Sequence, residues 1–263
     1  MNYIKESPFA LKTVILWTIT TILWSLFLIA GSYELITLPL AILGCSICSY
    51  INFTPMHEAS HGNVAGKVTK YKKFEKLVGY ISGLTLFIPY PMFRVLHLRH
   101  HSFTNDPEKD PDYWVATQNP IFLIIKCFTI KLHYYYHAFM KPTGPMKGLY
   151  LNTALCLGSY LFLILLCHFY LGLKLFFLIW FLSAVIALAF LALLFDWLPH
   201  YPHDKVGRYK DTSIIRFKML DSIMLLQNYH LIHHLYPRVP FYHYKKAFQQ
   251  IEQELIDKKC KII

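Results

Sequence analysis

The sequence predicts an all-α integral membrane protein with four transmembrane helices in two hairpins and a helical cap on the cytoplasmic side. Of its 263 residues, 55% are hydrophobic, and the mean hydropathy is +0.36, which is more apolar than a typical soluble domain. A bilayer-spanning helix needs about 17 to 25 apolar residues. Four uncharged stretches meet that requirement, at 13–30, 35–53, 149–173 and 175–195.

The basic residues set the expected orientation of these helices. Apart from Lys174, every Lys and Arg precedes the first stretch, lies in the central loop or follows the last stretch. Because positive residues favour the cytoplasmic side, we expect both termini and the central loop there, in a plasma or inner membrane if the source is bacterial. The net charge of +11 can attract anionic lipid head groups or an acidic protein, and it requires no nucleic acid.

The connections between the stretches predict the two hairpins. Only four residues separate 13–30 from 35–53, which favours a retained helical hairpin over a cleaved secretory signal. Lys174 alone separates the last two stretches. Since no linker divides the sequence, we expect a single domain over residues 1–263.

Two further segments have informative composition. The apolar run 77–93 contains Gly79, Gly83, Pro89 and Pro91, which favours a re-entrant or interfacial segment over a full span. The tail from Tyr244 places Phe248, Ile251 and Leu255 on one helical face. That pattern predicts an amphipathic helix that covers the cytoplasmic side.

Eight of the 14 histidines fall into three tight groups. These are His57 and His61, then His97, His100 and His101, then His230, His233 and His234. On a helix, positions i, i+3 and i+4 share a face, so each group can present its imidazoles to a common point. Neutral imidazole binds iron, zinc and copper, and eight histidines exceed the needs of one tetrahedral zinc. The pattern therefore indicates two metal ions.

A ninth candidate ligand follows the fourth apolar stretch. His200 emerges at the membrane surface where the clusters are expected to meet, and Asp196 lies one helical turn earlier. His203 is a weaker candidate whose role stays open. Four other histidines lack a partner motif and are expected to be interfacial or packing residues: His133, His137, His168 and His243.

These motifs carry a family resemblance. The strings His57-Glu58-Ala59-Ser60-His61, His97-Leu98-Arg99-His100-His101 and His230-Leu231-Ile232-His233-His234 resemble the three histidine boxes of the membrane fatty acid desaturase superfamily. The run from Ser102 to Asp106, followed by Asp110-Pro111-Asp112, is similar to the sequence that trails the second box in that family. Asp196 and His200 resemble the polar residue and extra histidine at the end of its fourth helix, where Asn is more usual than Asp.

One branch of this superfamily is especially similar. Trp197-Leu198-Pro199-His200, together with Asn228-Tyr229-His230 and Leu235-Tyr236-Pro237, resembles the desaturase-like β-carotene hydroxylases. The resemblance to the desaturase superfamily as a whole covers most of the chain, because the apolar stretches fall between the boxes as they do in that superfamily.

The resemblance implies a di-iron site held by the cap, with dioxygen as co-substrate. Hydrogen is removed from an unactivated C–H bond, and loss of a second hydrogen gives a double bond while insertion of oxygen gives an alcohol. Fatty acyl desaturation is the first expectation for the substrate, and β-carotene hydroxylation is a close second. Electrons come from a separate ferredoxin-like or cytochrome-like protein. The expected iron ligands are His57, His61, His97, His100, His101, His200, His230, His233 and His234.

The acidic residues near the boxes are expected to act indirectly. Glu58, Asp106, Asp110 and Asp196 are candidates to accept hydrogen bonds from the ring N–H groups of the ligands. Such contacts fix the orientation of an imidazole that binds a metal.

Other classes of protein remain open at this stage. His57-Glu58-Ala59-Ser60-His61 is also the HExxH pattern of zinc metalloproteases, in which Glu acts as general base. Glu58 to His61 matches the Glu-x-x-His of carboxylate di-iron bundles, but these require further glutamates. A divalent-metal transporter would carry its ligands near the bilayer midplane, whereas only His168 lies within an apolar stretch.

Overall fold

The structure, a computed structural model, describes residues 3–4, 9–141 and 146–263. It confirms the predicted fold class, since most of the described chain is helical and its strands are two short paired ones. Four of its helices are long and apolar enough to cross a membrane. The protein is therefore a multi-pass membrane protein, while the orientation of its termini and its single domain stay predictions.

The first hairpin consists of α1 (Leu11–Ser32) and α2 (Leu38–His61). Gly31 allows the two helices to approach closely, since a Cβ there would lie 2.4 Å from that of Ala41. α2 continues eight residues beyond the predicted apolar stretch, because the first histidine box extends the same helix. His57 and His61 are consequently fixed to a transmembrane helix.

The second hairpin consists of α6 (Met146–Leu165), which ends in a π-helical turn (Leu166–Tyr170), and α7 (Phe176–Leu191), which also ends in one (Ala192–Trp197). The rings of Tyr160 and Trp180 contact at 5.6 Å between centroids. α7 also packs against α2, so the two hairpins form one bundle. α6 is the least buried of the four spans.

The segment between the hairpins returns to the side from which it starts. α3 (Lys72–Thr85) and α4 (Tyr90–Phe103) meet at an angle of 98°, and Gly83 lies so close to the turn that a Cβ there would be 2.6 Å from the carbonyl oxygen of Ile88. Since His61 before α3 contacts His97 on α4, both ends of the segment lie at the same level. This agrees with the predicted re-entrant segment.

α5 (Pro120–Met140) packs along α7, with Lys131 Nζ 5.5 Å from the ring centroid of Phe181. The cap over the ends of α2 and α7 consists of α8 (Lys218–Ile223), α9 (His230–Leu235) and α10 (Tyr244–Asp257). Strands β1 (Ser213–Ile214) and β2 (Lys261–Ile262) pair in parallel, and shorter turns occur at Thr69–Tyr71, Pro111–Val115 and Phe241–His243. α10 buries the predicted Phe248, Ile251 and Leu255. The cap thus covers the end of the bundle at which the histidine boxes emerge.

Candidate metal centre

Four elements bring the nine predicted histidines together at the junction of bundle and cap. Two histidines lie on the last turns of α2, three on α4 and three on α9, while His200 follows the π-helical turn that ends α7. Such π-helical turns are frequent at functional sites because they redirect side chains. All nine side chains fall into two adjacent groups.

The five-histidine group consists of His57, His61, His97, His101 and His233. Its members meet through their Nε2 atoms. These atoms lie 2.9 Å apart between His57 and His233, 2.7 Å between His61 and His97, 3.2 Å between His97 and His101, and 2.8 Å between His101 and His233. The five rings therefore converge on one small volume.

The four-histidine group consists of His100, His200, His230 and His234. The Nε2 atom of His234 lies 3.3 Å from that of His100 and 3.2 Å from that of His230. Nε2 of His200 is buried and has no hydrogen-bond partner among the described residues. An unpartnered buried nitrogen that faces other imidazoles is suited to a metal ligand.

Each HxxHH box divides its histidines between the two groups. His97 and His101 enter the five-histidine group and His100 the other, whereas His230 and His234 enter the four-histidine group and His233 the other. The spacing within each box predicts one common point for its histidines, and this prediction is wrong because the structure divides them between two points. The first and last histidines of a box are four residues apart and differ by about 40° around the helix axis. The middle histidine, three residues after the first, lies about 60° from the first on its other side. The division places the two groups side by side.

The donor geometry fits metal ions, and so do the electrostatics of most of these histidines; at His100 the effect of burial is outweighed by Asp110 and Asp112, which raise its pKa to about 10. Nitrogen ligands at right angles around a metal, with bonds of about 2.1 Å, would lie about 3 Å apart, close to the observed separations. Burial, reinforced by neighbouring histidines, lowers the pKa of His200, His230, His233 and His234 well below the usual value. These rings are therefore neutral at pH 7, which is the form that binds metals. Five ligands in one group also exceed a tetrahedral zinc site.

Several groups face the outer Nδ1 atoms of these rings. Nδ1 of His100 lies 2.9 Å from Oδ1 of Asp110 and 3.3 Å from Oδ2 of Asp112. Nδ1 of His200 lies 3.0 Å from the backbone carbonyl oxygen of Asp211. Such acceptors hold the proton on Nδ1 and leave Nε2 free to bind a metal.

Only Asp110 among the four predicted acidic residues contacts a ring nitrogen. Glu58 instead accepts hydrogen bonds from the backbone N–H of Phe241 and the side chain of Asn63, both at 3.2 Å. One residue beyond His57, it is turned by about 100° around α2, and it joins this helix to the cap.

Asp106 and Asp196 also differ from the prediction. Asp106 accepts from the backbone N–H groups of Glu108 and Lys109, which stabilises a surface turn. Asp196 lines a small interior cavity next to the histidines. Neither residue accepts a hydrogen bond from a histidine ring in the described structure, which was the prediction.

Two positioning residues escaped the sequence analysis. Asp112 contacts His100 and accepts from the hydroxyl of Tyr134 at 2.7 Å. Tyr244 places its hydroxyl 2.9 Å from Nδ1 of His233. Asp112 could have been suspected from its position two residues after Asp110, whereas nothing in the sequence marks Tyr244.

The remaining histidines lie outside both groups. His133 stacks on Trp114 at 4.6 Å between centroids, and His137 lies beside it. His168 contacts Phe169 in the π-helical turn of α6, and His243 contacts Tyr242. His203 is buried with its ring 6.1 Å from that of His200.

Apolar side chains cover the histidines on the side of the transmembrane helices. The ring of Phe53 stacks on His57 at 5.6 Å, and that of Phe93 on His97 at 5.4 Å. With Met56, they line the small cavity that reaches Asp196 between α2, α4, α5 and α7. These apolar side chains shield the adjacent ring nitrogens from water.

A family model described as fatty acid desaturase matches residues 34–262. The match includes all nine histidines of the two groups and three of the four spans in full. The comparison with curated proteins gave no match.

Proposed function

The chain belongs to the fatty acid desaturase family, and on that premise we propose that it oxidises a long lipid hydrocarbon chain with dioxygen at two histidine-bound irons. Fatty acyl desaturation is the reaction that we rank first. The family indicates an oxidoreductase of the desaturase or hydroxylase type, and the two adjacent histidine groups are the observation that carries the proposal.

The five-histidine group would hold one iron and the four-histidine group the other. Bound iron supplies one-electron redox chemistry and the reduction of dioxygen. Desaturation removes two hydrogens from neighbouring carbons and forms two waters from one dioxygen, so two further electrons and two protons must come from outside. A separate electron-donor protein, ferredoxin-like or cytochrome-like, is therefore part of the proposal.

The protein's own residues would position the ligands and the substrate. Asp110 and Tyr244 face the Nδ1 atoms of His100 and His233, which fixes the rings with Nε2 toward the metals. Phe53 and Phe93 would guide an apolar chain along the membrane side of the histidines.

The structure gives little support to the two other classes. In a HExxH protease the Glu must face the metal-bound water, whereas Glu58 is engaged by Phe241 and Asn63. A transporter would place its ligands within the spans, whereas the nine histidines lie at the ends of α2 and α7 and in α4 and α9. Hydroxylation of β-carotene is the second candidate, favoured by the Trp197-Leu198-Pro199-His200 string.

Expression in a host that makes β-carotene tests the proposal directly. Acyl chains and pigments are analysed by mass spectrometry, with His61→Ala as a matched inactive control. A new double bond or hydroxyl on acyl chains supports the first ranking, and hydroxylated carotenoid the second. Unchanged lipids and pigments, with bound iron and a working electron donor, would contradict both.

A further inference from the structure

Helix α5 carries a broad apolar face that no other part of the described chain covers. Nine of its 21 residues are exposed large hydrophobic side chains. Six of them recur every three or four residues and so share one side of the helix, here called the α5 stripe: Ile121, Ile125, Phe128, Leu132, Tyr136 and Phe139. Water-soluble proteins rarely expose an apolar patch of more than roughly a few hundred Å². The size of the stripe therefore indicates an apolar environment.

The other side of α5 packs against the transmembrane bundle. Ile130, Tyr134 and Ala138 are buried there, and Ile130 lines a small interior cavity together with Leu188 of α7. Leu188 lies within the apolar span Phe176–Trp197. Because α5 packs beside an apolar part of a span, its middle lies at the depth of the membrane.

Both charged residues of α5 are turned away from the stripe. Lys126 donates to the carbonyl oxygen of Ala116 at 3.2 Å and lies over the ring of Trp114. Lys131 places its buried Nζ 4.1 Å from the ring centroid of Phe87. The helix contains no acidic residue and no arginine. The stripe is consequently uncharged along its whole length, as contact with acyl chains requires.

Both ends of α5 lie at the level of the candidate metal centre. Just before the helix, the carbonyl oxygen of Thr117 accepts from Nε1 of Trp197, the last residue of the π-helical turn that ends α7, at 3.0 Å. At its end, the carbonyl oxygen of Lys141 accepts from Nη1 of Arg99, within the second histidine box, at 2.6 Å. A helix of 21 residues is about 30 Å long and could cross a bilayer. These two contacts instead bring both of its ends to one side.

We propose that α5 is an in-plane membrane helix whose stripe lies among the acyl chains of the leaflet next to the candidate metal centre. Two observations identify the bilayer as the partner of this surface. The stripe is uncharged, and α5 adjoins α7, whose exposed Phe190 faces lipid as part of a span. Amphipathic helices of this kind bury their apolar face about 5 to 10 Å below the head groups. The inference concerns the surface of the protein and is independent of the reaction at the histidines.

Spin labels on the full-length protein in phosphatidylcholine vesicles test this inference. Single cysteines are introduced into a Cys260→Ser background, because the other five cysteines are buried, and the background protein gives the signal to be subtracted. The reporter is Phe128→Cys, at a position that is 53% exposed. Two controls have the same exposure of 52%: Ile47→Cys on the span α2 and Ile256→Cys on the cap helix α10. Electron paramagnetic resonance measures the accessibility of each label to dioxygen, which concentrates in lipid, and to a water-soluble nickel complex.

We expect the label at position 128 to resemble that at 47, with greater accessibility to dioxygen than to nickel, whereas the label at 256 shows the reverse. Leu132→Cys repeats the measurement on the same stripe if Phe128→Cys does not fold. Nickel accessibility at the stripe equal to that at 256 would contradict a lipid contact. Low accessibility to both reagents together with dipolar broadening between labels would show that a second copy covers the stripe, and this would also overturn the inference.

Labels near the two ends of the stripe distinguish an in-plane helix from a fifth span. For Ile121→Cys and Phe139→Cys we expect depths that differ by less than about 5 Å, one turn of helix, whereas a helix along the membrane normal would separate them by about 27 Å. A graded increase in depth from one end to the other would therefore contradict the in-plane placement, even if every label were accessible to dioxygen.

Discussion

The hydroxyl oxygen of Tyr244 lies 2.9 Å from Nδ1 of His233, and Nε2 of the same ring lies 2.8 Å from Nε2 of His101. Tyr244 is fully buried at the start of α10. If Nε2 binds a metal, Nδ1 keeps its proton and donates to the tyrosine oxygen. The cap helix thereby fixes the orientation of a candidate ligand on α9.

We predict that Tyr244→Phe lowers the metal affinity of the five-histidine group and the activity by about 10- to 100-fold, as for other outer contacts of metal-bound histidines. Tyr209→Phe is a matched control because its hydroxyl bonds Glu254 on the surface of the same cap. Metal titration and turnover measure both effects. Equal losses in the two variants would show that Tyr244 acts only through general packing.

Asp110→Asn should have a similarly large effect, because Asp110 accepts from His100 Nδ1 and from the backbone N–H groups of Asn105 and Asp112. A loss of about 10- to 100-fold in metal affinity is expected. Asp106→Asn, which changes a surface turn four residues earlier, should leave metal content and turnover nearly unchanged. If the two variants lose metal to the same extent, the carboxylate of Asp110 has no special role.

His200→Ala should abolish turnover and remove about one of two irons per chain, because His200 belongs to the four-histidine group alone. His133→Ala should retain both irons, since His133 stacks on Trp114 outside the groups. Elemental analysis after anaerobic iron loading measures the difference. Loss of both irons in His200→Ala would contradict two separately held metals, and one zinc per chain in the unmodified protein would contradict the di-iron assignment.

Glu58→Gln should preserve activity and metal content, because Gln keeps an oxygen that can accept from Phe241 N–H. Glu58→Ala should lower the free energy of unfolding by about 1 to 3 kcal/mol, since it leaves buried donors unpaired. Thermal unfolding and turnover of both variants separate these effects. Complete loss of activity in a stable, metal-loaded Glu58→Gln would instead favour a general base at this position.

The metal-free protein should lose stability on acidification. Burial lowers the pKa of His200, His230, His233 and His234 in the folded state, while an unfolded histidine titrates near about 6.5. Below that pH the unfolded state binds more protons at these four residues, so their contribution to the free energy of unfolding falls, and above it that contribution is fully present. Thermal unfolding between about pH 8 and pH 5 measures this.

Iron-loaded protein provides the comparison, because bound metal opposes protonation of its ligands and should extend the stable range to lower pH. A melting temperature of the metal-free protein that rises on acidification would contradict the buried, neutral state of these histidines.

Much of the fold follows from local sequence. Length and hydropathy determine which stretches can span a bilayer, and the four spans agree with those of the structure to within a few residues except where α2 continues to His61. That extension was not predicted because the apolar stretch ends before the histidine box, whereas the helix continues through the box to His61. The re-entrant segment was predictable because Gly83 and Pro89 interrupt its apolar run, which favours a turn over a straight span.

The candidate site was only partly predictable, because its contacts join distant parts of the chain. His57 and His233 are 176 residues apart in sequence, yet their Nε2 atoms lie 2.9 Å apart. Spacing within a helix gives the direction of a side chain around that helix, but not which other helix it faces. The sequence could therefore identify nine histidines without dividing them between the two groups.

The sequence by itself determined the membrane-spanning helices, the histidine-rich character of the candidate site and its compatibility with metal binding, because these depend on composition and on spacing within single helices. Only the tertiary structure decided that Asp110, Asp112 and Tyr244 contact ring nitrogens of the clustered histidines while Glu58 and Asp106 accept hydrogen bonds elsewhere. The physical reason is that a hydrogen bond requires two atoms within about 3 Å. The packing of α2, α4, α9 and α10 brings such atoms together from segments whose sequences carry no sign of one another.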